Sequence, residues 1–143
     1  MKRLFFVLCL SLLLCACSSA PAADPSIEAA DIQWTPPLLL SDEANSILEA
    51  LAFCKAFSEE MSRVYPDYAP ALSEQDVSYF ENRCADPDTD LNDLSAELAL
   101  TIIAFRQQIY LRMEETTKLH KPLPDGLERF VRNFEEDLHE IGW

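Results

Sequence analysis

Five oxygen-bearing side chains fall close together in the 143-residue sequence: Asp86, Asp88, Asp90, Asn92 and Glu97. With Asp86 as position 1, the acids stand at 1, 3, 5 and 12 and Asn92 at 7, the spacing by which one loop wraps Ca²⁺. Position 6, where such a loop needs glycine for its sharp turn, is Leu91, and position 8, normally apolar, is Asp93. The same acids suit a turn that feeds the positive end of a helix, with Thr89 or Asp90 as the cap. The cap is the stronger expectation, and no resident metal or other cofactor is expected.

Other chemistry finds less support. A carboxylate di-metal site in a helical bundle needs Glu-x-x-His on two helices, and the chain offers one, Glu136 with His139, on a polar face. His120 falls in a break between helices. There is no G-x-S-x-G elbow for a nucleophilic serine and no glycine-rich phosphate loop, for the whole chain holds two glycines, Gly126 and Gly142. The sequence is therefore read as non-enzymatic.

The N-terminal stretch carries a sharper signal. Lys2 and Arg3 precede an apolar run over residues 4–14, the length of a signal-peptide core and short of the about 20 apolar residues that a permanent span needs. The run ends in Leu14-Cys15-Ala16-Cys17, which resembles the lipobox of bacterial lipoprotein precursors. Cys17 follows alanine, whereas Cys15 follows leucine, and the cut requires small residues before it. The resemblance implies removal of residues 1–16 and attachment of diacylglycerol and palmitate to Cys17. Ser18 and Ser19 follow with no aspartate, which in enteric bacteria implies transport to the periplasmic face of the outer membrane.

Loss of residues 1–16 from the 143 leaves 127, enough for one small domain behind a tether. All 25 acidic residues stay while Lys2 and Arg3 leave, so nine basic residues remain and the net charge moves from −14 to −16. Such a chain is repelled by nucleic acid and anionic headgroups. It suits a basic protein partner, or the charge simply keeps helices in solution. With Cys9 and Cys15 discarded and Cys17 acylated, Cys54 and Cys84 remain. An even pair in an oxidising compartment is expected to form a disulfide, with two buried free thiols as the alternative.

These residues need elements to hold them. Residues 17–40 are expected to form a lipidated, proline-broken tether whose last part, with Trp34 and the leucines at 38–40, packs on the domain. A helical domain follows over 41–143. Its first helix starts at Ser41 or Asp42 and stops before Pro66, with Ile47, Leu51, Cys54, Phe57 and Met61 on one arc. A short second helix opens with Ser73 and Asp76 as a capping box and buries Val77, Phe80 and Cys84. Both cysteines then face inward on adjacent helices, and closing about 30 residues would stabilise by roughly 3–4 kcal/mol.

A long third helix over 91–119 carries Leu94, Leu98, Ile102, Phe105 and Ile109. Residues 98–105 are apolar on nearly every side, so this middle is expected to be enclosed by neighbours on several sides. Arg112, near the stripe, is expected to snorkel or to pair with a glutamate. Asp125 is expected to cap a fourth helix carrying Phe130, Val131, Phe134 and Leu138, ended by Gly142. No strand-like alternation occurs, so the domain is all-α, a disulfide-stapled bundle of about four helices.

Size, export and helix content together are similar to those of the pilotins, small α-helical lipoproteins that escort a secretin segment to the outer membrane. That likeness implies a protein-binding or assembly module with an amphipathic segment in a helical groove, and it assigns no residues. The competing expectation is an acidic immunity or inhibitor lipoprotein that neutralises a basic toxin or enzyme.

Overall fold

A computed structural model of the chain describes residues 40–143. The expected signal peptide, Cys17 and the expected tether up to residue 39 lie outside the described residues. Four helices follow in order: α1 Asp42–Val64, α2 Glu74–Ala85, α3 Leu91–Lys118 and α4 Leu127–Glu140. A single 3-10 turn, Pro66–Tyr68, follows α1, where Pro66 can begin a turn and cannot continue the helix. Among the described residues there is no strand and no helix long and apolar enough to cross a membrane.

Local side-chain chemistry sets the starts. The Ser41 hydroxyl accepts the Ala44 N–H at 3.2 Å, opening α1. Ser73 and Asp76 exchange hydrogen bonds, Asp76 N–H to Ser73 Oγ at 3.0 Å and Ser73 N–H to Asp76 Oδ2 at 3.3 Å, which closes the expected capping box of α2. Asp90, not Thr89, caps α3 by accepting from Asn92 and Asp93. The fourth start departs from expectation. Gly126, not Asp125, is the capping residue of α4, left-handed at φ 83° and with no side-chain bond. A Cβ there would lie 2.9 Å from the Tyr65 hydroxyl, so only glycine tolerates both the angle and the neighbour. Gly142 ends α4 as expected, at φ 94°, with the Trp143 N–H reaching back to Leu138 at 3.0 Å.

The helices alternate up and down. Cys84 at the end of α2 meets Ala44 at the start of α1. Tyr68 after α1 meets Thr116 near the end of α3 at 3.0 Å. The Trp143 indole N–H returns to Ser46 at 3.1 Å. Helix α1 is the hub, touching α2, α3 and α4. At the centre Phe57 stacks on Phe134 with ring centroids 3.9 Å apart and on Phe130 at 5.0 Å, while Phe105 of α3 meets it edge-on at 6.2 Å. Among the described residues no charged or polar residue is fully buried; the core is apolar throughout.

Candidate functional site

The two cysteines do not form the expected staple. Both are free and buried, at 2% and 5% exposure. The Cys84 sulfur lies 3.8 Å from the carbonyl of Ala44, in the first turn of α1. Cys54 is ten residues further along that helix, about 15 Å at 1.5 Å per residue. A bridge needs Cα atoms within about 7 Å. Inward-facing positions on adjacent helices were read correctly, but facing the core leaves the level along the helix open. Burial pushes the Cys54 thiol up to about 12 and raises that of Cys84. Both therefore stay protonated and are poor nucleophiles.

The acidic loop is likewise not assembled around a cation. Asp86 accepts the Asp88 N–H at 3.0 Å, Asp90 is consumed as the α3 cap, and Glu97 accepts the Tyr79 hydroxyl at 2.6 Å. Leu91 occupies the first turn of α3 where a calcium loop would still be turning on glycine. Asp86, Asp90 and Glu97 are therefore engaged separately, Asp88 and Asn92 contribute backbone N–H groups, and no three metal-binding side chains converge among the described residues. Glu136 faces outward, 3.9 Å from Arg132. His120 is exposed and left-handed at φ 55°, where it closes the end of α3 through the Lys121 N–H to Thr116 at 3.2 Å. Arg112 donates to the backbone carbonyl of Ala69 and pins the loop after α1.

The feature that sequence reasoning misplaced is the middle of α3. Leu94, Leu98, Ile102, Phe105 and Ile109 face the core. Leu100 is 67% exposed, Leu111 57%, Ile103 48% and Tyr110 45%, all on the side turned away from α1. The reason is placement. Helix α1 packs against the buried stripe of α3, while α2 and α4 take its two flanks, meeting it at Glu97 and at Arg106 and Tyr110. Among the described residues nothing lies over the remaining, outer side of α3, which runs about 42 Å over 28 residues.

The edges of that face are held firmly. On the α2 side the Tyr79 hydroxyl donates to Glu97. On the α4 side Glu135 Oε1 accepts from Arg106 Nε at 2.8 Å and from the Tyr110 hydroxyl at 2.9 Å. The hydrogen bond to Glu97 is the main cause that raises the Tyr79 phenol, and burial followed by the bond to Glu135 raises that of Tyr110. Arg106 and Arg112 are thus turned to the flanks, and the centre of the outer face is left uncharged. Two open hollows of about 620 and 650 Å³ flank the loop 121–125. They share Lys121, Pro122, Leu123, Pro124 and Asp125 as lining and hold no convergent acid–base pair.

What the outer face of α3 offers is adhesion: a row of large apolar side chains on a rigid helix with fixed polar edges. A signal for it exists in the sequence, since Leu100, Ile103, Tyr110 and Leu111 lie off the main stripe at helical spacing. No family model matches the chain, and neither a curated protein nor a solved structure matches it.

Proposed function

We propose that this chain is a non-enzymatic lipoprotein of the bacterial envelope that binds a protein through the outer face of α3. Acyl chains on Cys17 hold it at the periplasmic side of the outer membrane, and residues 18–40 tether the bundle. The observation that carries the binding role is the exposure of Leu100 at 67% and Leu111 at 57% on a helix whose opposite face is buried. Large exposed apolar patches on soluble domains mark contact surfaces. The pilotin-like plan agrees with that role, and the partner supplies an apolar, weakly charged helical face.

Two readouts on cells test this together. Radioactive palmitate labels the wild type and not Cys17→Ser, and a photo-crosslinker at position 103 yields a discrete protein adduct that one at exposed position 59 does not. Absence of label overturns the anchor. Equal adducts from both positions, or none from 103, overturn the contact face.

The inhibitor reading draws on the exposed carboxylates of Asp86, Asp88 and Asp90 beside a net charge of −14 for the whole chain. It requires partner binding that weakens steeply with salt, whereas contact through α3 is salt-tolerant.

A further inference from the structure

The outer face of α3 has an internal symmetry that points to its occupant. At 100° per residue, Asp93, Leu100, Ala104, Gln107, Leu111 and Lys118 lie in an arc of about 60°, spaced so that they form one line along the helix. The line reads nearly the same from either end. Leu100 and Leu111 are equidistant from a midpoint between Phe105 and Arg106, as are Ala104 and Gln107, and so are Asp93 and Lys118. Between Glu97 and Glu114 the only charges on α3 are Arg106 and Arg112, and both are turned to the flanks, one bonded to Glu135 and the other to the Ala69 carbonyl.

We infer, resting on the reading of this face as a contact surface, that its occupant is a second copy of the chain, with the two α3 helices packed antiparallel about a twofold axis at that midpoint. Leu100 of each copy meets Leu111 of the other. Ala104 gives room at the axis beside Gln107. Ile103 and Tyr110 share the α4 flank, and a twofold axis of this kind keeps like flank against like flank, so each Ile103 lies beside the other copy's Tyr110. At both ends Asp93 faces Lys118, whose ammonium also reaches Glu114 of its own helix at 2.7 Å. A parallel pair would instead set Asp93 against Asp93 and Leu100 against Leu100, so charge selects the antiparallel arrangement.

Size sets the strength. A strip about 42 Å long and about 10 Å wide covers roughly half of the about 800 Å² per partner that a stable complex buries. The dimer is accordingly weak in dilute solution and forms where anchoring concentrates the chain to the millimolar range. Two mature chains, each with nine basic and 25 acidic residues and a charge of −16 once Lys2 and Arg3 are gone, repel one another, so salt strengthens the association.

Two lipidated populations, Leu100→Cys and Leu111→Cys, mixed on the same vesicles and treated with a short bismaleimide, test the register; the buried native thiols do not compete. The mixture gives at least about tenfold more crosslinked dimer than either population alone, a difference of about 1.4 kcal/mol in pairing. Ala104→Asp, a change at an exposed position beside the axis made in both cysteine populations, abolishes the crosslinked dimer without altering the helical circular dichroism. Lys118→Asp weakens the dimer, and adding Asp93→Lys restores it. Equal crosslinking in mixed and unmixed samples overturns the antiparallel pair, as does no crosslinking at all. A chain that stays monomeric yet gives a different protein as its position-103 adduct overturns the dimer and leaves the contact face standing. A monomer whose position 100 is protected by its own residues 31–39 overturns both.

Discussion

The Tyr65 hydroxyl donates to the backbone carbonyl of Asp125 at 2.9 Å, across 60 residues of chain. That bond ties the end of α1 to the start of α4, beside a glycine that cannot carry a side chain without meeting the same hydroxyl. Tyr65→Phe should lower stability by about 1 kcal/mol, the worth of a part-buried hydrogen bond. Gly126→Ala should cost more, about 1–3 kcal/mol, since it adds a left-handed alanine and a clash. Urea unfolding followed by circular dichroism measures both, and a Gly126→Ala protein as stable as the wild type would contradict this packing.

The free cysteines make a second prediction. In the lipidated mature chain, native protein should react negligibly with a maleimide at neutral pH, because burial holds the Cys54 thiol at about 12 and raises Cys84. Unfolding should release two thiols per chain, and a reductant should leave the melting temperature unchanged. Loss of several degrees on reduction would restore the staple.

The acidic loop predicts indifference to calcium. Millimolar Ca²⁺, the range in which weak extracellular calcium modules bind, should not shift the melting temperature. Asp90→Ala should cost about 1 kcal/mol with or without the ion, because its carboxylate serves the N–H groups of Asn92 and Asp93. A calcium-dependent rise in stability that Asp90→Ala removes would contradict the capping role.

Tyrosine ionisation reports on the two edges of α3. Tyr79 and Tyr110 should titrate above the ordinary phenol value near 10. Their native values are raised, so whatever they add to stability is present below the unfolded pKa and is lost as pH rises through the native one. Absorbance at alkaline pH should show the latest phase diminished in Tyr79→Phe and again in Tyr110→Phe. An unchanged late phase in both variants would remove these hydroxyls from the edges.

Much of the fold was legible because it is local. Ser41, the pair Ser73 and Asp76, and Asp90 each announce a helix start through a bond spanning three residues or fewer. The inward stripes of α1, α3 and α4 follow from 3.6-residue spacing. What could not be read is what depends on position along a neighbour. Cys54 and Cys84 both face inward, yet their levels on α1 differ by about 15 Å. Asp125 looks like a cap, and Tyr65, 60 residues away, takes its carbonyl instead. The apolar middle of α3 suggested enclosure, but coverage depends on which sides of α3 its neighbours take, and α2 and α4 take the flanks. An apolar helix shows that a face needs cover without saying which chain provides it.

Leu100→Cys should react rapidly with a small maleimide in dilute purified protein, since Leu100 is 67% exposed. In the intact envelope, where the anchored chain meets its partner, the same thiol should react at least about tenfold more slowly, as expected of a buried contact. Equal rates in the two settings would mean that nothing covers α3, and the binding role would fall.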